Sequence, residues 1–201
     1  MIILGLNAYH ADSSAAIFKD GVLIAATEEE RFRRVKHWAG FPSKAIEFCL
    51  KEAGITLHEV DHIAIGRDPY AKLAKKLLFL LKNPGGGLLA VQDRLSNAKK
   101  ISSLEAEFKS LDPSIEEKII KFKIHQVEHH RSHLASAFFA SPFEESAILS
   151  IDGSGDFTTT MIAVGKGNKI EVLDSIDFPV SCGLFYTAFT QFLGFPHYGD
   201  E

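Results

Sequence analysis

An α/β fold is what this sequence predicts, and three observations carry the prediction. The first 30 residues alternate short apolar runs with turn residues. A pattern of helical period and another short apolar run follow them. A second set of strand-length runs begins at Ala147 and ends in a further helical stretch. The opening order is therefore β-β-β-α-β, with hairpin-joined strands first and a strand reached through a helix after them.

Taken in order, Ile2–Leu6 reads as a strand and residues 7–12 as a polar loop. Ala15–Phe18 and Val22–Thr27 form a hairpin, because Asp20 and Gly21 between two apolar runs suit a tight turn. Pro42 and Ser43 open a helix, with Ser43 as its N-cap and Glu47 in the opening turns. Ile46, Cys49, Leu50 and Ala53 recur at helical spacing, and Gly54 ends the pattern. Val60–Ile65 is the next strand. Residues 69–111 carry long helical patterns broken at residues 83–87, a flexible turn that lacks the Gly-Lys-Ser/Thr of a phosphate-binding P-loop. Ile119–Val127 reads as a strand, His129–Phe139 as a helix and Ala147–Ile151 as a buried strand. Thr158–Val164 pairs with Ile170–Ile176 as a hairpin, and Gly183–Leu193 is the last helix.

Composition narrows the function. The chain has 201 residues, a net charge of -4 and 46% hydrophobic residues, which is ordinary globular composition. An acidic balance argues against a nucleic-acid-binding face. The longest apolar stretch, Leu77–Leu81, is too short to cross a bilayer. Two cysteines, Cys49 and Cys182, form no CxxC pair and no disulfide framework. Met1 runs straight into an apolar strand with no basic stretch before it, so the expected setting is the reducing cytoplasm.

The strongest constellation is the run His129, His130, Arg131, Ser132, His133, followed by the stretch from Ser150 through Asp152, Gly153 and Gly155 to Asp156. On a helix, His129 and His133 project from one face. Asp152 ends a strand, and the glycines behind it let another group approach closely. Two imidazoles and a carboxylate suit a borderline transition metal with coordination positions left open. The plainer reading is a helix N-terminus with one core histidine and two solvated ones. His130 is rotated about 100° from His129 and should matter less to a metal.

Two weaker candidates precede it. The loop from Asn7 to Ser14 can present backbone N–H groups and hydroxyls to an anion, with His10 and Asp12 handling a proton. It reads equally as a polar hairpin loop. The run from Thr27 to His37 reads first as a solvated charged face. Its second reading is that Arg31, Arg34 or Lys36 neutralises a phosphate, since guanidinium forks match phosphate oxygens. Cys182, with no base beside it in sequence, reads as structural.

These motifs, in this order, resemble the carbamoyltransferase family that includes NodU-type nodulation proteins and the antibiotic O-carbamoyltransferases. The matching stretches are Gly5 to His10, Thr27 to Phe32 with Lys36 and His37, His129, His130 and His133, and Ser150 to Gly153 with Gly155 and Asp156. Cys182 to Tyr186 and Phe192 to Phe195 complete the set. The resemblance implies an actin/hexokinase-like (ribonuclease H-like) fold of two lobes. Residues 1–142 would form the first lobe, with a helical insertion at about 69–111, and residues 143–201 would open the second. It implies that His129, His133 and Asp152 hold a divalent metal, iron first, with zinc or manganese as alternatives.

In such enzymes carbamoyl phosphate and ATP give a carbamoyl adenylate in a separate YrdC-like domain, and the carbamoyl group then passes to a small-molecule hydroxyl acceptor. His10 is the candidate base, and Asp12, Arg31, Arg34 and Lys36 are candidates for substrate or nucleotide binding. The adenylating domain lies outside these 201 residues, so the expectation is a truncated enzyme, inactive alone, with its oligomeric state open. The rival readings are an actin-fold phosphotransferase of the sugar-kinase branch and a non-catalytic metal- or nucleotide-binding scaffold. The first would hold Mg²⁺ through carboxylates and water, which the histidine pair speaks against.

Overall fold

Alternation and turn chemistry build the first sheet directly. In the computed structural model, which describes residues 1–83 and 104–197, β1 (Ile2–Asn7), β2 (Ser14–Lys19) and β3 (Val22–Glu28) form an antiparallel meander. Asp20 and Gly21 turn the hairpin with φ of 51° and 83°. Helix α1 (Glu30–Arg33) and helix α2 (Ser43–Ala53) follow. Strand β4 (His62–Ile65) then pairs parallel to β1, and β5 (Ile124–Gln126) pairs parallel to β4. The sheet order is β3-β2-β1-β4-β5. Helices α3 (Leu73–Lys82), α4 (Leu104–Leu111) and α5 (Glu117–Lys123) lie between β4 and β5 in sequence.

The described chain divides into two compact units, Met1–Gly66 with Leu78–Gln126, and Arg67–Leu77 with Val127–Glu201. In the first, Leu4, Ile17, Ile46, Cys49, Ile63 and Ile65 meet Leu104, Phe108 and Ile120 in one apolar core. Burial there pushes the Cys49 thiol up to about 11. The second unit contains α6 (His129–Phe139), β6 (Glu145–Gly155), β7 (Thr158–Lys166), β8 (Lys169–Asp177) and α7 (Cys182–Phe192). Its strands form another antiparallel meander, β6-β7-β8. Both α6 and α7 pack on β6. The core of this unit is Leu134, Phe138, Ile148, Met161 and Ala163.

Three expectations need correction. Residues 119–123 are the end of a helix, and only 124–126 are strand. Ile120, Phe122 and Ile124 do alternate, yet Ile120 is fully buried and Phe122 is 86% exposed, so tertiary packing selects one apolar residue and leaves the other in water. Glu117 at the start and Lys121 and Lys123 at the end complement the helix dipole. Secondly, residues 147–151 are not buried throughout. Ile148 and Ser150 face inward while Leu149 and Ile151 are exposed, the alternation of a strand covered on one face. The break expected at residues 83–87 falls, from residue 84 onward, outside the described residues.

The third correction concerns Ser43. It is the first helical residue of α2 and not its cap, and no side chain of the N-cap Pro42 bonds back. The capping acceptor arrives from far away in sequence. Glu29, inside the run expected to be solvated, is completely buried, and its Oε2 accepts the Ala45 N–H at 2.8 Å. Its Oε1 accepts from Arg33 Nε at 2.7 Å, and the Ser43 hydroxyl lies 3.4 Å away. Arg33 stacks over the Trp38 ring, 4.5 Å from the centroid. A charge buried this deeply survives because a helix N-terminus and a guanidinium both complement it.

That arrangement gives a first prediction. Glu29→Ala strands the Ala45 N–H and takes the carboxylate from Arg33, which keeps its bond to Ser43, and should lower the unfolding free energy by roughly 1–3 kcal/mol. Glu28→Ala, which removes only an exposed partner of Arg31, should stay within about 0.5 kcal/mol. Urea denaturation of both variants decides it, and equal midpoints would mean that Glu29 is not the cap of α2.

Candidate metal centre

Helix α6 begins where two carboxylates meet its unpaired N–H groups. The N-cap Glu128 accepts the Arg131 N–H at 2.9 Å, and Asp156 Oδ2 accepts the His129 N–H at 2.9 Å. The same Asp156 oxygen accepts the Asp68 N–H at 2.7 Å. Burial pushes the Asp156 carboxyl upward, against these two hydrogen bonds. Asp156 sits at φ 49° in the turn from β6 to β7, a left-handed position that short polar side chains tolerate.

Strand β6 reaches that turn through a register shift between Ile151 and Gly155. The irregularity lets Asp152 and Asp156, four residues apart, grip one histidine, Asp152 at its ring and Asp156 at its backbone. Gly155 makes the approach possible, since a Cβ there would lie 1.9 Å from His129 Cδ2. The close approach expected behind Asp152 is therefore made by the His129 ring itself. On the other side, a Cβ on Gly183 would lie 2.5 Å from the Asp152 backbone. There Ser181, the N-cap of α7, bonds the Asp152 carbonyl at 3.1 Å and the Gly153 carbonyl at 2.7 Å.

Three side chains converge as a result. His129 Nε2 lies 2.8 Å from Asp152 Oδ2 and 3.0 Å from His133 Nε2, and His133 Nε2 lies 3.6 Å from Asp152 Oδ2. All three ligand atoms fall within 4.8 Å of one another. Two bonds of about 2.1 Å at right angles would put their donor atoms about 3.0 Å apart, so this spacing suits neighbouring positions around one cation. The His129 imidazole, and then that of His133, holds the Asp152 carboxyl well below the usual carboxylate range. Half-exposed His133 leaves the cluster open on one side, as a site with free coordination positions requires.

His130 turns the other way and is fully buried. Its Nε2 is 3.0 Å from the Thr158 carbonyl, which can only accept, so that nitrogen carries the proton. Nδ1 then accepts from the Ser150 hydroxyl at 2.8 Å. Burial lowers the proton affinity of this imidazole, which suits the neutral tautomer the bonds require. His130 is thus the core histidine of the trio.

The remaining candidates belong to the first compact unit. His10 is exposed on the β1–β2 loop, its Nδ1 3.3 Å from the Ala11 carbonyl. Asp12, at φ 61°, stands 3.0 Å from His37 Nδ1. Two of the loop's other polar side chains turn inward. Asn7 donates to the Ala11 and Asp12 carbonyls, and fully buried Ser13 bonds the Gly40 carbonyl at 2.8 Å. Arg31 is exposed and pairs with Glu28 at 3.4 Å. Arg34 closes α1 in a left-handed conformation, and Lys36 is exposed.

Sequence reasoning included Ser150 and Asp156 in the constellation without giving them a role, and passed over Glu128 and Ser181 as supports of this cluster. Ser181 had a signal, a serine just ahead of a helical pattern. Glu128 bonds three residues along its own helix, whereas Ser150 and Asp156 are recognisable only once β6 and its turn lie beside α6. Asp156→Ala should leave two donors unpaired and cost about 2–3 kcal/mol. Asp156→Asn keeps an accepting oxygen and should recover most of that in urea denaturation. An alanine variant as stable as the parent would show that this clamp carries no load.

Comparison with known proteins bears on all of these residues together. Residues 2–201 match the family described as Carbamoyltransferase N-terminus. An uncharacterised protein of Synechocystis sp. is 42% identical over 206 residues, covering 96% of this chain and 32% of that protein. The nodulation protein NolNO of Sinorhizobium fredii is 37% identical over 195 residues, covering 94% of this chain and 26% of its own. An uncharacterised protein of Methanocaldococcus jannaschii is 29% identical over 200 residues, and the match spans 31% of it. This chain therefore spans about a quarter to a third of the length of these relatives. With the match running from the first strand through the histidine cluster to the last helix, the chain belongs to the carbamoyltransferase N-terminal family.

Proposed function

We propose that the chain forms the N-terminal part of an O-carbamoyltransferase, with the cluster of His129, His133 and Asp152 as its metal centre. The observation that carries this reading is the convergence of two imidazole nitrogens and one carboxylate oxygen within 4.8 Å. Borderline donors of this kind favour iron(II), with zinc(II) and manganese(II) as the alternatives. A cation held there supplies Lewis acidity toward a carbonyl oxygen.

The carbamoyl group comes from carbamoyl phosphate through a carbamoyl adenylate, made with ATP in a YrdC-like region beyond these residues. It is delivered to the hydroxyl of a small molecule, whose oxygen bonds to the carbamoyl carbon as the bond to the adenylate phosphate breaks and AMP leaves. His10 takes the proton of that hydroxyl, its exposed ring being reachable by an acceptor. Asp12, 3.0 Å from His37 Nδ1, takes part in substrate or nucleotide binding. Arg31, Arg34 and Lys36 supply positive charge to a phosphate group. The two antiparallel meanders, one in each compact unit, support the actin/hexokinase-like reading of the fold. Among the described residues no helix is long and apolar enough to cross a membrane.

Two tests follow. His129→Ala and His133→Ala should each cut bound metal sharply in elemental analysis of the purified protein. Unchanged stoichiometry in both would remove the metal assignment. Placed in a full-length enzyme that carries the adenylating region, at least one of Arg31→Gln, Arg34→Gln and Lys36→Gln should raise the KM for carbamoyl phosphate or nucleotide by tenfold or more, about 1.4 kcal/mol, without altering the fold. Normal kinetics in all three would return the run to a solvated face.

A further inference from the structure

A second pair of histidines lies on the five-stranded sheet, in the first compact unit. Ile63 and Ile65 of β4 point into the core, 0% and 1% exposed, so His62 and Ala64 face the opposite side. The parallel register sets Ile124 against Ile63 and His125 against Ala64, which puts His125 on the same face as His62. Both histidines are exposed. Their rings nonetheless meet, His62 Nδ1 lying 2.9 Å from His125 Nε2, with ring centroids 4.9 Å apart and planes inclined by 59°.

A single N–H···N bond between two wetted imidazoles gains little, because water offers each ring equivalent partners. A cation gains more from the arrangement. Two nitrogens 2.9 Å apart are within about half an ångström of the roughly 3.0–3.4 Å between adjacent donors, from right-angled to tetrahedral, on one ion with bonds of about 2.1 Å. Two neighbouring β-strands hold that spacing before any ion arrives, so little ordering is left to be done on binding.

The geometry points to His62 and His125 as a second, solvent-facing site for a borderline divalent transition cation of the zinc, copper or nickel type. Neutral imidazole is the donor these ions prefer. Among the described residues no third His, Cys, Asp or Glu completes a cluster there, so the remaining positions fall to water or to the donor atoms of an incoming molecule. The site exchanges its ion readily and binds more weakly than a three-residue centre. It does not rest on the reading of the α6 centre, and the two are separable by experiment.

Equilibrium dialysis of the purified protein against Zn²⁺ and Cu²⁺ tests it. The parent should take up a weaker equivalent of cation beyond any removed by His129→Ala. His62→Ala and His125→Ala should each abolish that weaker equivalent while circular dichroism and the other equivalent stay unchanged. Copper bound to the His129→Ala variant should show hyperfine coupling to two nitrogens in electron paramagnetic resonance. The inference is overturned if the parent binds no such equivalent, or if both single variants retain it. Loss of binding in His129→Ala has no bearing on this outcome, so failure of one site does not mask the other.

Discussion

His129 is held at its ring by strand β6 and at its backbone by the turn that follows it, and the candidate centre follows from that grip. Asp156 takes its backbone N–H and Asp152 its ring, while Gly155 leaves the ring room to lie against β6. Once His129 is placed, the helical period brings His133 to the same side of α6. It also turns His130 into the core, where Ser150 and the Thr158 carbonyl anchor it to β6 and β7. The three histidines thus divide their labour by angle around one helix. Two face the open side, and the third fastens the helix to the sheet.

The first compact unit depends on a comparable contact. Glu29 follows β3 and places a carboxylate at the start of α2, where it accepts the Ala45 N–H and a bond from Arg33. This fixes α2 against β2 and β3, the strands it packs on. In both units an acidic side chain from one element satisfies the orphan donors of a helix distant in sequence. Buried carboxylates of this kind are tolerable only where several donors converge.

The α7 helix shows how far packing within the described residues extends. None of its residues is buried, and Phe185, Phe189 and Phe192 are exposed together. Its N-terminus is nonetheless tightly placed, with Gly183 against the Asp152 backbone and Ser181 bonded to two β6 carbonyls. Position at that end is set by hydrogen bonds and close backbone approach, not by burial of its apolar face.

Much of this was legible in the residues themselves. Turn chemistry at Asp20 and Gly21 set the first hairpin, Gly54 ended α2, and the i, i+4 spacing put His129 and His133 on one face, all effects that act over a few residues. The glycine-flanked Asp152 announced a close approach, although not which group would make it. What tertiary structure decided were contacts between segments far apart in sequence. The alternation at Ile120, Phe122 and Ile124 suits a strand, yet the core accepts only Ile120 from the helix that forms there. Ser43 looks like a cap until Glu29 arrives to take that role. A charged run reads as solvated because local composition carries no record of which carboxylate a distant helix will bury. Likewise His62 and His125, 63 positions apart, become neighbours only because β5 returns beside β4. Local period and turn geometry are written in adjacent residues, whereas partner choice across the core depends on which elements the whole chain brings together.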